Sequence, residues 1–252
     1  SDLMGASYCP SDGHANPQRA VEAFAAAARR AGADTRTGVD VLGIETDGRR
    51  VTGVLTSTGT IACERVIVAA GVYAPRLLDP LGIHIPFTIV VVPAIQTEAV
   101  APMLDQVLGI PTGGFAGRQQ ADGRFRLTGS SVPWAATDHT ADNVMPTLTQ
   151  FAGTLAWSTR LIPALANVRA TAIWGGLIDK TPDALPVIEA TPEIEGLVVA
   201  TGFSGHGFCL GPITGEILAD LATEGATRHP ITPFARARLD HIGTPEAVTL
   251  HG

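Results

Sequence analysis

The densest run of chemically useful residues is Gly202-Phe203-Ser204-Gly205-His206-Gly207-Phe208-Cys209. Its glycines let backbone approach a ligand closely, because no Cβ intervenes. An apolar run, Leu197-Val198-Val199-Ala200, leads into it, and a helical pattern from about 210 to 223 leaves it. A helix starting there aims unpaired N–H groups and the positive end of its dipole into the bend. That arrangement suits an anion, or a group that becomes anionic as it reacts. The spacing alone fits equally well a turn that only tightens strand-to-helix packing. A hydrolase elbow is not supported, because His206 stands where Gly-x-Ser-x-Gly needs its second glycine.

A second candidate is Val66-Ile67-Val68-Ala69-Ala70-Gly71, where small side chains end a strand-like run. Open α/β sheets receive ligands at the carboxyl ends of their strands, although simple packing explains these residues too. His206 can polarise a ligand carbonyl or be an ordinary turn residue. Arg126 can face a substrate carboxylate, but most strand arginines are solvated. No His, Cys and carboxylate set has metal-ligand spacing, so no metal is expected. No catalytic side chain can be assigned.

The elements that position these residues follow from periodicity and punctuation. Asn16-Pro17 is an N-cap followed by proline at the first helical position. Val21, Phe24, Ala25 and Ala28 then form one apolar stripe, and Gly32 ends the helix. From 37 the period becomes two, with turn signals at Asp47-Gly48 and Thr58-Gly59 that predict a small meander. The unbroken run at 66–70 predicts a strand buried on both faces. Short strands are expected at 87–92 and 124–128, and a further strand at 169–178. A helix over about 142–161 would turn Val144, Leu148, Phe151 and Leu155 inward. Residues 179–186 read as turn-rich, and the stretch after Gly225 carries little signal.

Composition sets the outer limits. The 252 residues include 17 Lys and Arg against 24 Asp and Glu, a formal charge of −7. That balance, without a basic cluster, argues against nucleic acid as a partner. With 45% hydrophobic and 16% charged residues the chain is expected to fold rather than stay disordered. No apolar run nears the roughly 18 residues of a membrane span. Cys9, Cys63 and Cys209 are too few for a disulfide framework and fit a reducing cytoplasm. The opening Ser1-Asp2-Leu3 shows no export signal.

Four segments together resemble one family. They are Tyr8-Cys-Pro-Ser-Asp-Gly-His-Ala-Asn-Pro17, Val66-Ile-Val-Ala-Ala-Gly71, Trp174-Gly-Gly-Leu-Ile-Asp-Lys-Thr-Pro-Asp-Ala-Leu-Pro-Val187 and Gly202-Phe-Ser-Gly-His-Gly-Phe208. In this order they resemble the FAD-dependent D-amino-acid oxidase superfamily, most closely its glycine oxidase, sarcosine oxidase and D-amino-acid dehydrogenase branch. The resemblance runs to about Gly225. It implies an α/β fold with an α+β insertion: part of a Rossmann-like FAD-binding domain (1–84 and 165–225), an antiparallel-sheet substrate domain (85–164) and a tail (226–252).

The family's FAD-binding domain opens with a βαβ unit carrying Gly-x-Gly-x-x-Gly, and no such fingerprint occurs here. The chain therefore resembles the C-terminal two-thirds of such an enzyme. An N-terminal FAD-binding fragment or chain is the expected partner, because the strand at 66–70 would otherwise lose its parallel neighbours. A hetero-oligomer follows if that unit is a separate chain.

Carried over by position, the resemblance implies that Val41 meets the adenine and that Ala69, Ala70 and Gly71 make a second dinucleotide contact. Phe203, Ser204, Gly205, His206, Gly207, Phe208 and Cys209 would pass the isoalloxazine ring. Gly176 occupies the position where monomeric sarcosine oxidases attach flavin to cysteine, so FAD is expected to be non-covalent. Ile178 replaces the carboxylate-binding arginine of glycine oxidase, and Cys209 replaces a lysine of sarcosine oxidase. Either Arg126 or another cation takes a substrate carboxylate, or the substrate is an amine without one. The implied function is oxidation of the C–N bond of an amine or amino acid by hydride transfer to flavin. The alternative is a non-catalytic flavoprotein subunit with a structural role.

Overall fold

The computed structural model describes residues 5–110, 114–134 and 144–242. In chain order the elements are α1 (Pro17–Arg30), β1 (Val41–Thr46), β2 (Val51–Thr56), β3 (Gly59–Ala62), β4 (Val66–Val68) and α2 (Ala74–Leu78). Next come β5 (Thr88–Ala99), β6 (Leu108–Gly109), β7 (Phe115–Gln119), β8 (Arg124–Gly129), β9 (Val132–Pro133) and α3 (Leu148–Leu161). The chain continues through β10 (Ala170–Lys180), β11 (Val187–Ala190), β12 (Leu197–Thr201) and α4 (Gly207–Thr223). Two compact units result. Among the described residues, one holds 5–34 with 91–177, the other 35–90 with 178–242.

The first unit is built on a six-stranded sheet in the order β10-β5-β8-β7-β6, with β9 also on β5. Period-two alternation sorts its side chains. Phe115 on β7 and Phe125 and Leu127 on β8 are buried against Phe151 of α3 and Leu165. Ala116, Arg118, Arg126 and Thr128 therefore turn to the opposite face.

The start of α3 is set by a capping box. The Thr147 hydroxyl accepts from the Gln150 N–H at 3.3 Å, and Gln150 Oε1 accepts from the Thr147 N–H at 2.8 Å. Residues 144–147 precede the helix, and Asp142, where the pattern placed its start, lies outside the described residues. The expected inward stripe is corrected as well. Leu148 is 85% and Leu155 45% exposed, whereas Phe151, Thr154 and Ser158 are buried. The hydroxyls of Thr154 and Ser158 donate to the carbonyls of Gln150 and Thr154, so both can face the core without unmet hydrogen bonds.

In α1 the Asn16 side chain accepts from the Arg19 N–H, and Pro17 opens the helix. None of its residues is buried, and Val21 and Phe24 stand in the open. The apolar stripe is thus left without a buried residue.

In the second unit β1, β2 and β3 form the meander that the turn signals predicted. A second sheet runs β11-β12-β4, with β12 antiparallel to β11 and parallel to β4. All five residues of β12 are buried. Leu197 and Val199 join Val68, Ala74 and Leu78 in one core cluster, while Val198 and Ala200 pack on Ile217, Leu218 and Leu221 of α4. The doubly buried strand is thus β12. The run at 66–70 was expected in that role, but β4 is the edge of this sheet and leaves Ile67 42% exposed.

The unit boundaries differ from the expected domains. Residues 17–30 and 165–177 group with the sheet that carries Arg126, and 226–242 are an integral part of the second unit. Leu239 is buried, and Ile231 and Phe234 pack against the cluster under α4. Arg238 donates from Nε and Nη2 to the Asp183 carboxylate at 2.7 and 3.1 Å. This stretch lacks helical or strand periodicity, so its contribution is tertiary packing that no local pattern announces.

Candidate functional site

In the second unit, β4 and β12 run in parallel register from Val66 opposite Leu197 to Val68 opposite Val199. Their carboxyl ends, 69–71 and 201–202, therefore emerge side by side. The Thr201 hydroxyl lies 3.1 Å from the Gly71 carbonyl and 3.0 Å from Asp179 Oδ2. Its single proton serves one acceptor at a time. Asp179 is buried, and Oδ2 accepts from the Gly202 N–H at 2.6 Å. A carboxylate thus holds the first peptide of the glycine-rich turn.

The turn itself is tightly braced. Gly202 has φ +73°, Ser204 +52° and Gly205 +91°. Ser204 is fully buried, and its N–H donates to the Asp179 carbonyl. Its Oγ donates to the Gly202 carbonyl and accepts from the Thr181 N–H at 3.1 Å. Both polar groups are consumed internally, so Ser204 shapes the bend instead of facing a ligand, a correction to its expected role. The same burial removes it as a nucleophile.

Beyond Ser204 the chain opens outward. Gly205, His206, Phe208 and Cys209 are exposed. Helix α4 starts at Gly207, earlier than its pattern indicated, and has no side-chain cap. Among the described residues the N–H groups of Gly207, Phe208 and Cys209 have no partner; the ladder begins with Leu210 N–H to the His206 carbonyl. Three such donors at the positive end of a 17-residue helix suit an anion or a group that becomes anionic. Phe203 is half-buried and packs into the core under α4. Ala69, Ala70 and Gly71 lie at the end of β4 beside this turn. Val41 does not join them: it begins β1, in the other sheet, and is 47% exposed.

The first unit holds a cavity of about 460 Å³ on the sheet face opposite α3. Val92, Ala94, Thr128 and Gly176 line it with Arg118, Gln120, Arg126 and Trp174. Arg126 lies over the Trp174 ring, 4.9 Å from its centroid, and donates from Nε to Gln120 Oε1 at 3.3 Å. Arg118 is its direct cross-strand partner. Burial, and secondarily the charge of Arg126, pull the Arg118 guanidinium below its ordinary range. Arg118 Nε is buried with no acceptor. Gly176 borders open space, with no atom within 4 Å of where a Cβ would stand. Ile178, two residues further along β10, is half-buried and belongs to the second unit.

The structure thus gathers Arg126 and Gly176 around one cavity and 69–71 with 202–209 around one turn. The sequence reading missed Arg118 and Asp179. Arg118 was detectable only through the β7–β8 register, and Asp179 sat in a stretch read as turn. Among the described residues no group of three or more His, Cys, Asp or Glu gathers to hold a metal, and no helix is long and apolar enough to cross a membrane.

Residues 1–221 match the family model described as FAD dependent oxidoreductase. Glycine oxidase of Geobacillus kaustophilus is 31% identical over 243 residues, 96% of this chain and 61% of that protein. Hydrogen cyanide synthase subunit HcnC of Pseudomonas protegens is 32% identical over 239 residues, 94% of this chain and 55% of that protein. Among solved structures, L-proline dehydrogenase from P. horikoshii superposes with a TM-score of 0.83 at 29% identity, covering 92% of this chain and 62% of that one. Glycine oxidase from Geobacillus kaustophilus follows with 0.78 at 28% identity, covering 88% and 57%. The chain therefore spans little more than half the length of these relatives. With a family model matched along residues 1–221, this chain belongs to the FAD dependent oxidoreductases.

Proposed function

We propose that this chain is the larger part of an FAD-dependent oxidoreductase acting on the C–N bond of an amine or amino acid. An N-terminal fragment or separate chain would supply the pyrophosphate-gripping βαβ unit. The observation that carries the reading is the turn at 202–209, where three unpartnered N–H groups open a long helix beside the ends of two parallel strands.

The residues present fit a flavin. Gly207, Phe208 and Cys209 would hold its electron-rich carbonyl edge, with Ala69, Ala70 and Gly71 against the dinucleotide. When bound, FAD supplies the acceptor for a hydride from the substrate α-carbon, and the resulting imine hydrolyses in water. The chain's own part is electrostatic and positional. Fixed N–H dipoles at the start of α4 stabilise developing negative charge without reorganising. Loss of one such donor costs on the order of 3 kcal/mol in the transition state. Asp179 and Ser204 hold those donors in place, since a bend loose by ~1 Å forfeits much of the effect. Arg126, oriented by Trp174 and Gln120, would take a substrate carboxylate.

The open edge of β4 and the uncovered Ile67 suit pairing with a further parallel strand. That is the reason for assigning an N-terminal unit as partner. Three free thiols, Cys9, Cys63 and Cys209, suit a reducing, cytoplasmic setting.

The test is to purify the protein with whatever polypeptide accompanies it, record its flavin absorbance, and bleach it anaerobically. The panel is glycine, N-methyl amino acids, D-amino acids, cyclic imino acids, dicarboxylic amino acids and simple amines. A yellow protein bleached by one of these classes is the expected result. A folded protein without flavin, or a flavin that no amine reduces, rejects the reading.

A further inference from the structure

Arg118 and Arg126 face each other across β7 and β8, in direct register and on the same side of the sheet. Opposed residues of an antiparallel pair have Cβ atoms only about 4.5–5.5 Å apart, and like charges placed so are destabilising. Proteins ordinarily relieve such a pair with a carboxylate. Here, among the described residues, none does so. Asp122, whose charge reaches Arg126, is exposed and held by Arg124 through its N–H at 3.0 Å and Nη1 at 2.9 Å. The rest of the described cavity lining is neutral.

The two guanidiniums present separate donor edges. Arg126 has its face on Trp174 and its Nε on Gln120, and among the described residues its terminal nitrogens have no hydrogen-bond acceptor. Among the described residues Arg118 has no hydrogen-bonded acceptor, and its Nε is buried. Each edge matches a carboxylate through paired hydrogen bonds. A single carboxylate would satisfy one and leave the other cation uncompensated beside it. A cavity of about 460 Å³ is far roomier than a glycine-sized molecule needs.

We propose that Arg118 and Arg126 together form a site for two carboxylates, so that the preferred substrate is a dicarboxylic amine. The word amine rests on the oxidoreductase reading above; the dicarboxylate does not, since charge and register carry it. Arg118 is then a specificity-determining residue, and Trp174 with Gln120 keeps Arg126 from turning away.

The experiment is a titration of the full chain with glutarate and with butyrate at constant ionic strength. Binding is followed by calorimetry and by the fluorescence change that Trp174→Phe abolishes. Glutarate should bind at least about tenfold more tightly than butyrate, since a hydrogen-bonded charge pair is worth that much or more. Arg118→Gln should bring glutarate down to the butyrate level and move butyrate by less than about twofold. Arg118→Lys should recover part of the loss, because it restores the charge without the fork. Equal affinity for the two acids overturns the proposal, as does unchanged glutarate binding by Arg118→Gln. Removing one of two opposed like charges should not unfold the protein, and the ligand-free melting temperature of each variant verifies that. A flavin that no amine bleaches refutes the oxidoreductase reading and leaves this titration interpretable. A flavin bleached equally by alanine and glutamate, with glutarate and butyrate bound alike, refutes the dicarboxylate site alone.

Discussion

The glycine-rich turn invites a decisive perturbation at Gly202. Its φ of +73° lies in the left-handed region, where an L-residue costs about 1–2 kcal/mol. A Cβ built there would also fall 2.5 Å from Thr181 Cγ2. Thr181 is almost fully buried and cannot rotate freely, because its hydroxyl lies 2.8 Å from the Leu185 carbonyl and 3.1 Å from Ser204 Oγ. Overpacking of that kind adds about 1–3 kcal/mol. Gly202→Ala should therefore destabilise the protein by about 2–5 kcal/mol. Gly71→Ala is the control. Its φ of +52° incurs the backbone strain, but its Cβ would meet nothing within 4 Å, so about 1–2 kcal/mol is expected. Thr181→Ser removes the clashing methyl and keeps the hydroxyl. In the double variant it should return the overpacking part, a coupling of about 1–3 kcal/mol in a double-mutant cycle. Urea denaturation, read from midpoints at constant slope, measures the four variants against the unsubstituted protein. Strictly additive Gly202→Ala and Thr181→Ser effects, or Gly202→Ala no worse than Gly71→Ala, would show that contact between the turn and Thr181 does not shape the site.

Other consequences can be tested with the same chain. Ser204→Ala leaves the buried Thr181 N–H without an acceptor and should cost about 1–3 kcal/mol in urea; a serine-directed covalent probe should leave no adduct at Ser204, and labelling there would contradict its burial. Asp183 is held below the ordinary aspartate range: burial alone would raise it, but the hydrogen bonds from Arg238 and the Leu185 N–H, with the Arg238 charge, outweigh that. A depressed folded-state value means stabilisation that is present above the unfolded value of about 3.9 and lost as pH falls through the folded one. Asp183→Asn should thus cost about 1.5–3 kcal/mol at pH 7, and its unfolding midpoint should converge on that of the unsubstituted protein in strong acid. A gap that stays constant from neutral pH into strong acid would rule that pairing out as the cause.

Local signals in the chain were enough for the elements whose causes are local. Asn16-Pro17 starts α1, Asp47-Gly48 and Thr58-Gly59 fold the meander, and the apolar run before Gly202 becomes the buried strand β12. The motifs at 8–17, 66–71, 174–187 and 202–208 carried the family resemblance only together and in that order, since a glycine-rich turn taken alone serves packing as readily as a ligand. What local pattern could not convey is which neighbour covers which face. The run at 66–70 and β12 look alike as strings, yet one is an edge and the other is packed on both sides. Leu148 and Leu155 look like core, yet Thr154 and Ser158 take their place by returning their hydroxyls to the helix backbone. Arg118 and Arg126 are eight positions apart, and only strand register makes them one doubly charged site. Asp179 and Gly202, far apart along the chain, meet because a buried peptide N–H must find an acceptor. Turn and cap chemistry is written residue by residue, whereas charge pairing and coverage exist only once distant segments have been brought together.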